Sequence, residues 1–259
     1  MAGGTVPGRL FEAMSPSSTT PERADWPARQ GPPWRPFDDA GATYDDWYKS
    51  PLGAFAERVE RRAVFELLAP QAGELILDVG SGTGRYTLEL FRWGARPVGV
   101  EPSTGMLAVA QGTRAPAGGP SYVRAAGEAL PFRARAFDGV VIVTTLEFAA
   151  DPDALLLEAV RVTRAGGHIA VGALSPRGPW AARRRRSRSP LWAGARFFKE
   201  GELRAMLERY GPVRSRRALL VPPQLAWAPS PLLMLLERLG AVLAGRWAAF
   251  IAVRVNVEG

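Results

Sequence analysis

One stretch constrains this chain more than any other, Leu75 to Leu90, which reads LILDVGSGTGRYTLEL. Leu75, Ile76, Leu77 and Val79 form a short apolar run suited to a strand buried on both faces, and the residues from Arg85 onward have a helical pattern. Between them lies a glycine turn, with Gly80, Gly82 and Gly84 at GxGxG spacing. Without β-carbons the backbone can turn sharply and a ligand can rest against bare peptide, while the helix that opens there offers N–H groups to anionic or acceptor groups.

Nicotinamide and flavin enzymes use a similar turn, so the flanking residues decide. Asp78 precedes the first glycine by two places, and Arg85 stands where a GxGxxG fingerprint needs its third glycine. Glu101 closes the next apolar run, Pro97 to Val100. An acid about twenty residues past the turn, at the end of a second strand, can accept both ribose hydroxyls of a nucleoside.

At this point the chain resembles a known family. LDVGSGTG, VGVEPSTGMLAVA, AAGEALPF, FDGVVIVTTLEFAADP and RVTRAGGHIAVGAL are similar to the successive motifs of class I S-adenosylmethionine-dependent methyltransferases, in the ubiquinone/menaquinone-methyltransferase-like (type 11) branch, over Tyr44 to about Leu174. A nicotinamide dehydrogenase is disfavoured by Arg85 and by the later motifs.

The resemblance implies S-adenosyl-L-methionine as cofactor, S-adenosyl-L-homocysteine as product and no metal. It assigns the cofactor site to Asp78, Gly80, Ser81, Gly82, Gly84, Glu101, Pro102, Met106, Ala126, Gly127, Glu128, Val143 and Thr144. Within that set Asp78 matches the motif acid that fixes the glycine loop and the methionyl ammonium, Met106 packs on adenine or is plain core, and Val143 and Thr144 offer backbone groups to the methionyl end. The family usually carries an acid for the adenine amino group where this chain has Ala126, which leaves Gly127 for a backbone contact and Glu128 to reach the amino group. The aromatic entry Tyr44, Trp47 and Tyr48 is similar to a YDxW segment that lies as a lid over cofactor and substrate; its alternative is packing on the first helix.

Methyl transfer from a sulfonium is an in-line displacement that needs alignment more than acid or base groups. If the nucleophile must lose a proton, Glu147 is the candidate base, with Tyr44 and Tyr48 as lid residues; an ordinary helix-flanking acid is the other reading of Glu147. The position that reads Asn-Pro-Pro-Tyr in enzymes methylating exocyclic amines reads Thr144, Thr145, Leu146, Glu147 here. The expected acceptor is a small or lipophilic molecule, with an RNA methyltransferase or a non-catalytic cofactor-binding module as alternatives.

Composition narrows the field further. With 259 residues, 47% of them hydrophobic, the chain can build one large α/β domain with additions. There is no cysteine and a single histidine, His168, so thiolate or clustered-histidine metal sites and His-centred triads are excluded. The formal charge of +8 is almost all arginine, with lysine only at Lys49 and Lys199, and reads as a compositional bias spread over the surface. Nucleic acid is therefore not the expected partner, though it stays open. The greasiest helix, Leu232 to Ala244, is interrupted by Glu237 and Arg238, so no transmembrane segment is expected and the location is read as cytoplasmic.

The expected organisation starts with a tail over 1–36, rich in Pro, Gly, Ser and Thr and mostly disordered, in which Trp26 and Trp34 are the residues able to dock. The methyltransferase domain covers 37–259. It divides into a lid and helix (37–70, the helix from about Leu52 to Leu68), a cofactor-binding core (71–173), a basic and aromatic substrate-side insertion (174–198) and a C-terminal helix and edge-strand part (199–259). Strands are expected at Ala95–Val100, Tyr122–Ala125, Val140–Thr144 and Ile169–Ala173. A helix opens at Asp151 and Pro152 and ends at Gly166 and Gly167. This alternation gives a doubly wound, mostly parallel sheet with helices on both faces, which the resemblance makes seven-stranded and Rossmann-like with one antiparallel strand near the edge. Arg183 to Arg186 with Arg188 is expected as a basic loop, either solvated or greeting an anionic substrate, with Trp180, Trp192, Phe197 and Phe198 around it.

Overall fold

The computed structural model describes Leu10 and residues 32–113, 118–187, 189–192, 194–225, 227–243 and 245–258. Trp26, Arg188 and most of the expected tail lie outside the described residues. Leu10 itself departs from that expectation: it is buried against the core, and its carbonyl accepts a hydrogen bond from Arg133 N at 3.0 Å.

Three helices, α1 (Arg35–Tyr44), α2 (Asp46–Lys49) and α3 (Pro51–Leu68), precede the first strand. Pro51 at the first position of α3 has no N–H to lose there, and the Ser50 hydroxyl accepts from Gly53 N at 3.0 Å as the cap. Five strands then alternate with helices: β1 (Leu75–Val79), α4 (Arg85–Arg92), β2 (Arg96–Val100), α5 (Thr104–Gly112), β3 (Ser121–Val123), β4 (Phe137–Val143), α6 (Pro152–Val162) and β5 (Thr163–Leu174). The remainder is α7 (Gly178–Arg186), α8 (Glu200–Glu208), β6 (Val213–Ala218), α9 (Ser230–Leu243) and β7 (Phe250–Asn256).

The sheet has seven strands in the order β3-β2-β1-β4-β5-β7-β6, parallel except for β7, which runs against both β5 and β6. Strand alternation divides the core: Leu77 and Val79 pack with α6 and α8 on one face, and Ile76 packs with α3 and α4 on the other. Asp78 shares the α4 face with Ile76. The order reverses between β1 and β4, which opens a crevice beyond their carboxyl ends, where ligands bind in open α/β sheets.

Two boundaries differ from expectation for local reasons. α6 ends at Val162, before the glycines, because the Thr163 hydroxyl turns back to Ala159 O at 2.6 Å. Gly166 and Gly167 instead fall in a bulge of β5, where pairing jumps from Phe137–Thr163 to Gly139–His168; Gly166 takes φ +73° and Gly167 lies against Asp138 O. The basic run is a helix, α7, and not a loop. Within it Arg184 turns inward, donating to Ser175 O at 3.0 Å and Ala249 O at 3.3 Å and lying over the Phe197 ring, whereas Arg183, Arg185 and Arg186 are exposed.

Candidate functional site

The glycine turn is built by its own hydrogen bonds. Gly80 N and Ser81 N both donate to Val100 O, Gly84 N donates to Ser81 O, and Gly82 N donates to Glu101 Oε2 at 2.9 Å. These four amides are spent internally, so the expected cradle of free N–H donors is replaced by a surface of bare Cα positions and carbonyls. Gly80, Gly82 and Gly84 all have positive φ, and a side chain at Gly80 would overlap Thr145 at 2.3 Å, whereas nothing stands within 4 Å of a Cβ at Gly82. Gly84 serves packing: a Cβ there would meet the Tyr122 hydroxyl at 2.4 Å.

Glu101 is only 6% exposed, yet it lines the cleft above the turn. Its two oxygens accept from Gly82 N and, at 2.8 Å, from Ser103 N, so one carboxylate fixes the β1 loop and the β2 loop together. Burial raises its pKa to about 7 against the lowering effect of those two bonds. Each oxygen keeps lone-pair capacity toward the cleft.

Asp78 stands behind this surface. It accepts from the Thr87 hydroxyl at 2.6 Å, which ties β1 to α4, and burial raises its pKa to about 7; it does not line the cleft. Ser81 and Ala126 are likewise buried without lining it.

The cleft encloses about 660 Å³ and is lined by Gly80, Gly82, Glu101, Pro102, Met106, Gly127, Glu128, Val143 and Thr144 from the expected set. Tyr44 of the expected residues also lines it, and Trp34, Phe37, Thr145, Phe148, Ala149 and Leu155 complete it. Sequence reasoning named Trp34 as able to dock but left the other five unassigned. Gly127 has no room for a side chain, since a Cβ would lie 2.7 Å from Leu155, and Glu128 is held by Ala150 N at 2.8 Å. Thr144 takes φ +48°, a conformation that costs a threonine energy and marks a site constrained by its surroundings.

A larger cleft of about 1310 Å³ adjoins the first, and Phe37, Tyr44, Thr144 and Phe148 line both. Its walls are aromatic: Trp47, Tyr48, Trp180 and Trp192 join the shared residues, with Glu60, Arg183 and Arg184 as the ionisable groups other than tyrosine. The Tyr44 and Tyr48 rings meet edge to face with centroids 5.9 Å apart, and burial raises both phenol pKa values. Tyr44 therefore lines both clefts and Tyr48 the larger one.

Glu147 does not. It is 1% exposed, accepts from Leu174 N at 2.5 Å and lines neither cleft. The short 3-10 turn Leu146–Phe148 points its carboxylate into the protein, toward the end of β5. The carboxylate that does face the larger cleft is Glu60 on α3. Its signal was present in the sequence: it sits four residues from both Ala56 and Val64, on the apolar stripe, where a charge has no structural reason to be.

The segment ahead of β1 is fastened at two points. Asp38 Oδ1 accepts from Ser103 Oγ, Thr104 N and Thr104 Oγ1 at 2.9, 2.7 and 3.0 Å, capping α5 from another element. Arg85, in the third-glycine place, bonds Glu57 through Nε at 2.9 Å and lies 4.3 Å from the centre of the Tyr48 ring.

The donor set fits a cofactor carrying an adenosyl group and a sulfonium. Glu101 offers paired acceptors that suit a ribose diol, Pro102, Met106, Gly127 and Leu155 supply apolar lining that suits a purine, and the open Cα face of Gly82 leaves room for close approach. The aromatic faces of Phe37, Tyr44 and Phe148 suit a cation. Among the described residues no group of three or more His, Cys, Asp or Glu is placed to hold a metal, and no helix is long and apolar enough to cross a membrane.

Comparison with known proteins gives consistent findings. The methyltransferase domain family matches residues 77–171. An uncharacterised protein of Mycobacterium tuberculosis (strain ATCC 25618 / H37Rv) is 38% identical over 191 residues, which cover 71% of this chain and 63% of that protein. A demethylmenaquinone methyltransferase of Beutenbergia cavernae is 37% identical over 147 residues, covering 56% of this chain and 58% of that enzyme. The chain thus spans less than two thirds of the length of these curated relatives. A crystal structure from Thermotoga maritima, described as an S-adenosylmethionine-dependent methyltransferase and possible histamine N-methyltransferase, matches with a TM-score of 0.67 at 24% identity, over 86% of this chain and 99% of that one; this likeness shows the fold.

Proposed function

We propose that this chain, whose residues 77–171 match the methyltransferase domain family, is a class I S-adenosylmethionine-dependent methyltransferase that moves the methyl group of the cofactor onto a small lipophilic acceptor. The observation that carries this reading is the pair of adjoining clefts, one polar at Glu101 and one aromatic, which share Phe37, Tyr44, Thr144 and Phe148 as their common wall.

When bound, the cofactor supplies a methyl group already activated by the sulfonium. The chain's part is placement. Glu101 takes the ribose hydroxyls, Met106, Pro102, Gly127 and Leu155 hold the adenine, and Glu128 with the Gly127 backbone serves its polar edge in place of the acid absent at Ala126. Gly80, Val143 and Thr144 meet the methionyl end, and Asp78 acts from behind by fixing α4 against β1. Tyr44, Phe37 and Phe148 exclude water from the junction, where alignment can contribute on the order of 7–11 kcal/mol to lowering the barrier.

In this reading 37–70 is lid and entry helix, 71–173 the cofactor-binding part, 174–198 the wall of the acceptor cleft and 199–259 the sheet edge. The protein works in the cytoplasm. An inward Arg184 and a helical α7 leave less of the basic run free for phosphate than a loop would, which supports the small-molecule acceptor over RNA.

The test is the thermal unfolding midpoint with S-adenosylmethionine, S-adenosylhomocysteine and NADH in separate samples. Ligand at a hundred times its dissociation constant adds about 2.7 kcal/mol of stability. A rise with both adenosyl ligands and none with NADH is expected; no rise with either adenosyl ligand rejects the reading.

A further inference from the structure

Glu60 lies on α3 one turn beyond Ala56, and both residues line the larger cleft. Among the described residues it forms no hydrogen bond and no ion pair. Arg184 enters the same cleft from α7 and interacts electrostatically with Glu60, yet the two do not form an ion pair, and the buried Arg184 Nε has no hydrogen-bond partner. The cleft wall therefore carries an acceptor, Glu60, and a donor, Arg184, both incompletely satisfied, among Trp47, Tyr48, Trp180 and Trp192. Buried polar groups left unpaired are costly, and a ligand that completes both gains most.

Side-chain chemistry selects what can do so. An ammonium only donates and cannot serve Arg184, and a carboxylate only accepts and cannot serve an ionised Glu60; a hydroxyl does both. Arg183 adds a second guanidinium to the cleft, 5.9 Å from the Trp47 ring centre, which disfavours a cationic ligand further. Indole and phenol walls favour a flat ring.

We propose that Glu60 is the catalytic proton acceptor of the larger cleft and that the acceptor substrate is a flat aromatic compound bearing an acidic hydroxyl, held between Glu60 and Arg184. This rests on the methyl-transfer reading. The hydroxyl proton passes to a Glu60 oxygen, the hydroxyl oxygen's electron pair forms the bond to the methyl carbon, and the methyl–sulfur bond breaks with its pair left on sulfur. Neutral aryl methyl ether and thioether result, and Glu60 returns its proton to solvent.

The charge environment supports the same assignment. Burial raises the Glu60 pKa to about 8, opposed by Arg184 and reinforced by Glu147 and Glu57, while Tyr44, Tyr48 and Tyr86 are the neighbouring phenols that feel its charge. A carboxylate at that level is much closer to a phenol, at about 10, than an ordinary glutamate is.

The experiment uses the full chain with 2-naphthol, naphthalene and 2-(aminomethyl)naphthalene as probes, titrated calorimetrically at a pH of about 9, where Glu60 is ionised, in the presence of S-adenosylhomocysteine. 2-Naphthol is expected to bind about tenfold tighter than either comparator, the worth of roughly one hydrogen bond, and Glu60→Ala is expected to erase that preference. With S-adenosylmethionine, the methyl ether of 2-naphthol is the product. Its rate should rise with pH through about 8 in the parent protein. Glu60→Gln should lower that rate about a hundredfold and flatten the profile, and Glu60→Asp should keep the pH step at a reduced rate.

Equal binding of the three probes, preference for the amine, or an unchanged rate and profile in Glu60→Gln overturns the proposal. S-adenosylhomocysteine affinity, measured on every variant, separates the failures. If it is retained while 2-naphthol is ignored, only the aromatic-hydroxyl assignment falls; if it is absent from the parent protein, the methyl-transfer reading falls with it.

Discussion

Asp38 Oδ1 stands 2.7 Å from the backbone nitrogen of Thr104, so a residue of α1 caps α5 and latches α1 to the helix that carries Met106. The two helices touch backbone to backbone: a Cβ at Gly41 would lie 2.5 Å from Gly105 O, and one at Gly105 would lie 2.1 Å from Asp38 O. Asp38→Ala removes this added cap and leaves the Ser103 hydroxyl on Met106 N at 3.2 Å, a loss of about 1 kcal/mol. If the proposed cofactor site holds, its affinity should fall about fivefold and amide exchange over 35–49 should accelerate, because α1 loosens from α5 without the fold being lost. Burial pulls the Asp38 carboxyl up, but its bonds to Ser103, Thr104 and Gly105 hold it below the ordinary value of 3.8. The latch is thus fully present above pH about 4 and loosens only as pH falls through the lowered value.

Gly80 and Gly82 carry the same sequence signal and should respond oppositely to alanine. At Gly80 the added Cβ overlaps Thr145, and φ is +71°. Overpacking and left-handed strain together cost about 3 kcal/mol of stability, visible in denaturant unfolding. Gly82→Ala has open space and pays about 1 kcal/mol of strain alone, but its methyl group enters the cofactor cleft. The expected outcome is a nearly native midpoint with S-adenosylhomocysteine binding weakened.

Glu101→Ala leaves Gly82 N and Ser103 N without their partner and removes the acceptors for the ribose. One buried amide left unpaired costs about 1–3 kcal/mol, so stability should drop by about 2 kcal/mol and the thermal shift with S-adenosylhomocysteine should vanish. A variant that binds the cofactor as well as the parent rejects this residue's role.

Stability should depend on pH with a definite sign. Burial raises Asp78, Glu101 and Glu147 to about 7 and Glu60 to about 8. Between their ordinary values near 4 and these raised values the folded chain holds protons that the unfolded chain has released, so unfolding free energy falls as pH rises through that window. Asp38, Asp138 and Glu200 act in the opposite sense, since hydrogen bonds, joined by Arg164 at Asp138 and by Arg217 at Glu200, outweigh burial and lower their values. Their contribution is lost only in acid. The melting temperature of the ligand-free protein should therefore peak near pH 5 and decline toward pH 8, by differential scanning calorimetry. A flat or rising profile from pH 5 to 8 contradicts the burial of these four groups.

Local order was legible in the residues. The apolar run Leu75 to Val79, the glycines after it, the acid at Glu101 and the Asp151–Pro152 helix start depend on neighbours in sequence: strand hydrophobicity, backbone freedom and capping act over a few residues. The strand alternation likewise led to the sheet, and the motif resemblance to its seven strands. What misled were groups whose roles depend on distant partners. Glu147 looked accessible past β4, but Leu174 N captured it, and the Arg183–Arg186 run looked like a loop until α7 packed Arg184 against Ser175 and Ala249.

The sequence by itself determined the strand–turn–helix unit, the acid that closes the second strand and the side-chain types available to a nucleoside, because these follow from local conformational preference and spacing. Only the tertiary structure decided which carboxylate meets the larger cleft, which amides of the glycine turn are already spent, and how Asp38 reaches α5 across 65 residues or more. Those outcomes are set by burial and hydrogen bonding between segments far apart in the chain, and the free energy of a charge depends on what surrounds it in space.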